Sequence, residues 1–151
     1  MTEENNSPQN KFGIIIGGSG LVGGALVYSF KKKWGFDILA PNSKQLSLRD
    51  SNDIKNFFTS CRPDFIINAA IAGIDSNPKI SFEINYLGSI NLAKAAAALG
   101  IPYIFFSSAA VLPAGENLSE DEQRPLRAEM SNYAKSKLMS EKTLAHLHRT
   151  E

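Results

Sequence analysis

The sequence predicts an α/β fold, a doubly wound parallel sheet of about four strands with helices between them. Short apolar runs alternate with stretches of helical periodicity, the pattern of βαβ units with right-handed crossovers. The runs are apolar at successive positions, as strands covered on both faces are. The first of them leads straight into a glycine cluster. The 151 residues, 43% hydrophobic and 21% charged, suit one domain, and a globule of this length buries roughly 70% of the surface its unfolded chain exposes.

Each element has its own local signal. Phe12-Gly-Ile-Ile-Ile16 is a β-branched run ended by Gly17 and Gly18, which suits a buried strand. Leu21 to Lys33 repeats apolar residues at Leu21, Val22, Ala25, Leu26 and Phe30 and closes on lysines, as a helix C-terminus favours. Asp37 to Ala40 reads as a second strand stopped by Pro41. Asp50 or Ser51 can cap a helix to about Ser60, with Ile54, Phe57 and Phe58 on one side. Asp64 to Ala69 is a third strand. A long helix is expected from about Ile80 to Leu99, closed by Gly100 with Pro102 beyond, and Pro102 to Ser107 is the fourth strand. After a polar loop, Ser131 or Asn132 opens a last helix.

Composition excludes several function classes. Sixteen basic residues against 15 acidic ones leave a formal net charge of +1, so no electrostatic footprint for nucleic acid or an anionic membrane is expected. No apolar run approaches the roughly 20 residues of a membrane span. Residues 1–10 are polar after Met1 and are expected to form a flexible tail ahead of a domain over 11–151. They lack the basic-then-apolar order of a secretory signal. A single cysteine, Cys61, makes no internal disulfide, and a reducing, cytoplasmic setting is expected. His146 and His148 stand two apart on a helix and face different ways, so no metal site is expected.

The chemistry begins at Gly17-Gly-Ser-Gly20-Leu-Val-Gly23, spaced G-x-x-G-x-x-G between a strand and a helix. There Gly17 allows a tight turn, Gly20 lets backbone approach a pyrophosphate, and Gly23 lets the helix pack closely while its positive end faces phosphate. This spacing resembles the short-chain dehydrogenase/reductase proteins, and specifically their extended branch of sugar-nucleotide epimerases, dehydratases and reductases. Ile16 stands where members usually carry threonine. The resemblance implies a Rossmann-type domain that holds NAD or NADP through Gly17, Ser19, Gly20, Leu21, Val22 and Gly23.

Two later segments extend it. Tyr133-Ala-Lys-Ser-Lys137 places Tyr133 and Lys137 on one helix face, and the fourth strand ends at Ser107-Ser108, where parallel sheets present ligand-facing residues. A carbonyl being reduced needs a proton donor and an alcohol being oxidised needs a base. A phenol serves only if a nearby cation stabilises its phenolate. By resemblance to UDP-sugar epimerases, Ser108, Tyr133 and Lys137 take the catalytic roles, with Ser107 as the fallback serine and Ser107, Tyr133 and Lys137 also reaching the cofactor. Asn68-Ala69-Ala70 is similar to the family's cofactor-lining N-A-A, and Asn85 and Gly88 match its N-x-x-G.

The second strand is followed by Pro41-Asn42-Ser43-Lys44, with no carboxylate for ribose hydroxyls. Lys44 can instead meet a 2′-phosphate, which favours NADP over NAD; Asn42, Ser43 and Leu48 complete the expected lining. Gln45 to Asp50 resembles the E-L-D-I-T-D stretch of dTDP-sugar and GDP-sugar reductases, with Ser47 in place of the adenine-binding aspartate. Family members continue further, with later strands and a segment that binds the sugar nucleotide. The expected function is therefore hydride transfer on a nucleotide sugar with tyrosine as proton donor or acceptor. The alternatives are a non-catalytic dinucleotide-binding or sensing module, or a fragment needing a partner chain. An apolar edge from Tyr103 to Phe106 points to a homo-oligomer or a missing C-terminal partner, with Leu138, Leu144 and Leu147 in the contacts.

Overall fold

The computed structural model describes residues 10–112 and 125–150, without the side chain of Thr150. The expected tail, apart from Asn10, and most of the polar loop before the last helix lie outside the described residues. Among the described residues there are four strands, β1 (Phe12–Ile16), β2 (Asp37–Leu39), β3 (Phe65–Asn68) and β4 (Tyr103–Phe105). They alternate with α1 (Leu21–Trp34), α2 (Ser51–Ser60), α3 (Pro78–Ser81), a π-helical turn over Phe82–Gly88, α4 (Ser89–Leu99) and α5 (Asn132–Thr150). All strand pairs are parallel in the order β2-β1-β3-β4. The chain steps to one side of β1 for β2 and to the other for β3, so the crevice of the sheet opens at the carboxyl ends of these strands.

Strand alternation divides the core. Ile14, Ile16 and Ile66 face one way and pack with Leu46, Ile54, Phe58, Leu92 and Ala96 beneath α2 and α4. Ile15, Ile38 and Ile67 face the other way, against Leu26, Val27 and Phe30 of α1. The unbroken isoleucine run of β1 is thus used on both faces, as its composition requires. Helix ends follow their local chemistry. Asp50 caps α2, its Oδ1 accepting from the Asn52 amide at 2.8 Å. Asn77 caps α3 with Pro78 behind it, and Ser131 Oγ accepts from the Ala134 amide at 3.1 Å to open α5. Gly100, at φ 67°, ends α4 in the left-handed conformation.

Two expectations need correction here. The long helix starts at Pro78 rather than Ile80, because the Asn77-Pro78 pair supplies the cap, and it widens to π geometry at Phe82–Gly88. Leu138, expected in subunit contacts, is 1% exposed and belongs to this chain's own interior.

Candidate functional site

The site is built outward from the turn between β1 and α1. Gly17 takes φ 82°, a conformation that side chains with Cβ rarely adopt, and a Cβ there would stand 2.6 Å from the Ala70 amide nitrogen. At Gly23 a Cβ would meet the Gly17 carbonyl oxygen at 2.1 Å. Gly20 differs: it is exposed, extended at φ −81° and ψ 173°, and a Cβ there would meet only the Gly17 oxygen, at 3.3 Å. No side chain caps the start of α1, and Leu21 and Val22 are exposed in its first turn. The positive end of α1 therefore faces the mouth of the crevice without a side-chain cap. Substituting Gly20→Val is expected to leave the fold intact and to cost most of the affinity for a dinucleotide, because the isopropyl group occupies the line of approach. Retained binding by a folded Gly20→Val protein, measured by calorimetry, would remove the turn from the site.

A cleft of about 270 Å³ continues from this turn along the carboxyl ends of β1, β2 and β3. Gly17, Ser19, Asn42, Ser43, Leu48 and Ala70, all expected at the cofactor, line it. Asn42 shapes the β2 exit, its Oδ1 accepting from the amides of Lys44 (2.9 Å) and Gln45 (3.2 Å). A Cβ at Gly88 would lie 2.9 Å from Leu48 Cβ, so this glycine lets the loop carrying Leu48 lie against the π turn. Lys44 does not reach the cleft wall; the cation that does is Arg49, which the sequence reading passed over. Pro41, Ile71 and Ile84 are further lining residues without a sequence signal of their own.

Asn68 and Asn85, expected at the cofactor, are not among the residues that line this cleft. Their exposures are 1% and 0%, and both ends of each amide are bonded internally. Asn68 Oδ1 accepts from the Ala70 amide at 3.1 Å, while its Nδ2 donates to Ser89 Oγ and Tyr103 Oη, both at 3.0 Å. Asn85 Oδ1 accepts from the Ala72 amide at 2.7 Å and its Nδ2 donates to Ser136 Oγ at 3.1 Å. The widened π turn leaves the Asn85 carbonyl to accept from Ser89 Oγ (2.7 Å) and Ser140 Oγ (2.8 Å). These side chains orient the segment 69–72 and dock α5 from behind the site. Fully satisfied buried networks of this kind specify one arrangement.

Helix α5 brings the proton-transfer candidates to the end of β4. Tyr133 is half-buried and one turn ahead of Lys137; Ser107 is exposed and Ser108 half-buried. Ser108 Oγ accepts from the Ala110 amide at 3.2 Å, capping the short 3₁₀ turn Ala109–Val111 and leaving its hydroxyl hydrogen free to donate. Lys137 is 1% exposed, with Nζ donating to the Phe106 carbonyl at 2.8 Å and lying 4.5 Å from the centre of the Phe105 ring. Burial pushes its pKa down from 10.5 to about 8, against the opposing pull of Glu141. The ammonium therefore sits out of water at the end of β4, between the Phe106 carbonyl and the Phe105 ring, where its field is little screened.

That position costs stability. Between pH of about 8 and 10.5 the unfolded chain holds a proton on Lys137 that the folded chain has lost, so stability rises with pH across this window. Below it the penalty is fully present, on the order of 3 kcal/mol. Lys137→Met is expected to stabilise the fold by about 1 kcal/mol at pH 7, after losing the hydrogen bond to Phe106. Urea unfolding at pH 7 and pH 10 checks it: the gain should shrink at the higher pH, and a variant less stable than the parent at pH 7 contradicts the assignment.

No cluster of three metal-ligating side chains occurs among the described residues, and none of their helices is long and apolar enough to cross a membrane. The family model for the NAD dependent epimerase/dehydratase family matches residues 14–151. The chain belongs to that family. Bovine methionine adenosyltransferase 2 subunit beta is 32% identical over 157 residues, covering 95% of this chain and 45% of its own length. A dTDP-4-dehydrorhamnose reductase from Bacillus anthracis, solved with NADP, superposes at TM-score 0.79 with 23% identity over 93% of this chain and 51% of that one. A UDP-glucose 4-epimerase from Thermus thermophilus, solved with NAD, gives 0.74 with 24% identity over 92% of this chain and 51% of that one. The chain thus spans about half the length of these members of the epimerase/dehydratase family, and its Rossmann-type sheet is the shared part.

Proposed function

We propose that this chain is the dinucleotide-binding half of an NAD(P)-dependent epimerase, dehydratase or reductase acting on a nucleotide sugar. The dinucleotide, when bound, accepts or supplies the hydride. The turn amides and the α1 terminus hold the pyrophosphate, and the β2 loop with Leu48 and Ala70 lines the adenosine. At the reacting carbon, Tyr133 takes the hydroxyl proton as the carbon–oxygen double bond forms and returns it in the reverse direction. Ser108 donates to the reacting oxygen and holds it beside the phenol. Lys137 stabilises the phenolate. The observation that carries this reading is the placement of Lys137: a buried cation fixed to the Phe106 carbonyl, under the strand end that bears Ser107 and Ser108 and one turn from Tyr133. An ammonium is expensive to bury, and a role in proton transfer accounts for it.

A second reading is a dinucleotide-binding subunit without turnover of its own. It is favoured by the bovine relative, whose name makes it a subunit of another enzyme. In either case the edge strand β4 exposes Ile104 by 49%, Phe106 just beyond it is 37% exposed, and Leu144 and Leu147 line an apolar hollow of about 580 Å³ beside it. Apolar edges of this kind invite pairing, so the chain is expected to self-associate or to require a partner. Titrating NADPH and NADH while recording the assembly mass by light scattering tests both points. Saturable binding by an assembly larger than one chain is expected. A stable monomer that binds neither dinucleotide overturns the reading; binding without turnover of any nucleotide sugar selects the subunit.

A further inference from the structure

Arg49 is the sole charged residue, among the described residues, in the wall of the 270 Å³ cleft. Its Nε donates to Glu83 Oε2 at 2.6 Å, and the same carboxylate has Lys79 as a second partner, with Oε1 at 3.8 Å. Arg49 remains 51% exposed. The carboxylates nearest to it in sequence are committed elsewhere: Asp50 caps α2, and Asp53 Oδ2 accepts from the Ser47 amide. Among the described residues no carboxylate lines the cleft beside Asn42 and Ser43, where a ribose diol would otherwise find one.

We infer that Arg49 is the residue that selects a 2′-phosphorylated adenosine, and that Glu83 competes with the phosphate for it. This rests on the dinucleotide reading above and goes further in naming the cofactor class and the residue that sets it. A guanidinium presents five donors in a planar fork suited to phosphate, and the bond to Glu83 engages its Nε, leaving the terminal amino groups for the ligand. An exposed ion pair is weak, so a dianionic phosphate draws the fork away from Glu83 readily. Glu83 is not orphaned by the exchange, because Lys79, one turn earlier, keeps its second oxygen. Arg49 is thus a latch with two alternative anions, one in the protein and one in the ligand.

The test compares NADPH with NADH, and adenosine 2′,5′-bisphosphate with AMP, by calorimetry on the full chain. Arg49→Ala is expected to weaken NADPH and the bisphosphate by about tenfold or more while changing NADH and AMP by less than about twofold. Arg49→Lys retains the charge without the fork and should keep part of the preference. Glu83→Gln is expected to tighten the phosphorylated ligands by about two- to fivefold and leave the others unchanged. Lys44→Ala, whose side chain is outside the cleft wall, should alter none of them. Equal weakening of all four ligands by Arg49→Ala means that it touches the shared adenosine, and overturns the inference. So does an unchanged NADPH preference in that variant, or transfer of the effect to Lys44→Ala. Failure of the parent chain to bind any of the four ligands overturns the dinucleotide reading itself. These positions are exposed or half-buried, and thermal melts of the variants confirm that a loss of binding is not a loss of fold.

Discussion

Gly23→Ala is expected to destabilise the fold by about 3 kcal/mol or more, and to abolish dinucleotide binding with it. The added methyl would meet the Gly17 carbonyl oxygen at 2.1 Å, the Gly17 carbonyl carbon at 2.7 Å and Gly18 Cα at 3.0 Å. All three are main-chain atoms, so no rotamer change relieves the clash. The turn cannot retreat either, because Gly17 is itself wedged against Ala70 and held at φ 82°. Helix α1 would have to lift from β1, and its Leu26, Val27 and Phe30 contacts with Ile15 and Ile38 would open. The adjacent Gly24→Ala is the internal control: its Cβ would find only the Gly18 carbonyl, at 3.4 Å, and alanine favours a helix over glycine by up to about 1 kcal/mol. Urea unfolding of both variants decides the matter. A Gly23→Ala protein within about 1 kcal/mol of the parent would mean that the helix is not packed on the turn as described.

Tyr133→Phe is expected to lower nucleotide-sugar-dependent oxidation of NADPH by a factor on the order of 10²–10⁴ while leaving NADPH affinity within about twofold. The substitution removes one hydroxyl from a half-buried ring. It spares the local fold, because the hydrogen bond that Tyr133 makes within α5 uses its main-chain carbonyl, which accepts from Ser136 Oγ at 2.7 Å. Stability should therefore be unchanged. Unaltered turnover in the Phe variant would exclude the phenol as the proton carrier and leave Lys137 or a serine to be tested in its place.

How much was legible in the sequence depends on the range of the interaction. The isoleucine run of β1, the G-x-x-G-x-x-G spacing and the caps at Asp50 and Ser131 are decided within a few residues. Local sterics and orphan amides are enough to specify them. Asn68 and Asn85 stand on segments that the sequence does point to, but their buried bonding is not legible there. Their partners lie at Ser89 and Tyr103, and at Ala72 and Ser136, as far as 51 residues away. An asparagine at a strand end has the same local pattern whether it faces a ligand or a buried serine. Arg49 rather than Lys44 lines the cleft for a similar reason: the Asn42 turn sets Lys44 off the wall, and the approach of the π turn brings Arg49 onto it beside Glu83.

By itself, then, the sequence determined the four-stranded parallel α/β sheet, the glycine turn between β1 and α1 and the placement of Tyr133 one helical turn ahead of Lys137. Each depends on periodicity or on spacings of three to six residues, which local backbone geometry converts directly into shape. The tertiary structure alone decided that Lys137 is a buried cation tied to Phe106, that Leu138 is interior, and that an arginine rather than a lysine looks into the cleft. Those outcomes turn on which surfaces the crossovers bring together and on how much water remains between them. Desolvation and long-range hydrogen bonds are properties of the packed assembly, and no stretch of sequence carries them alone.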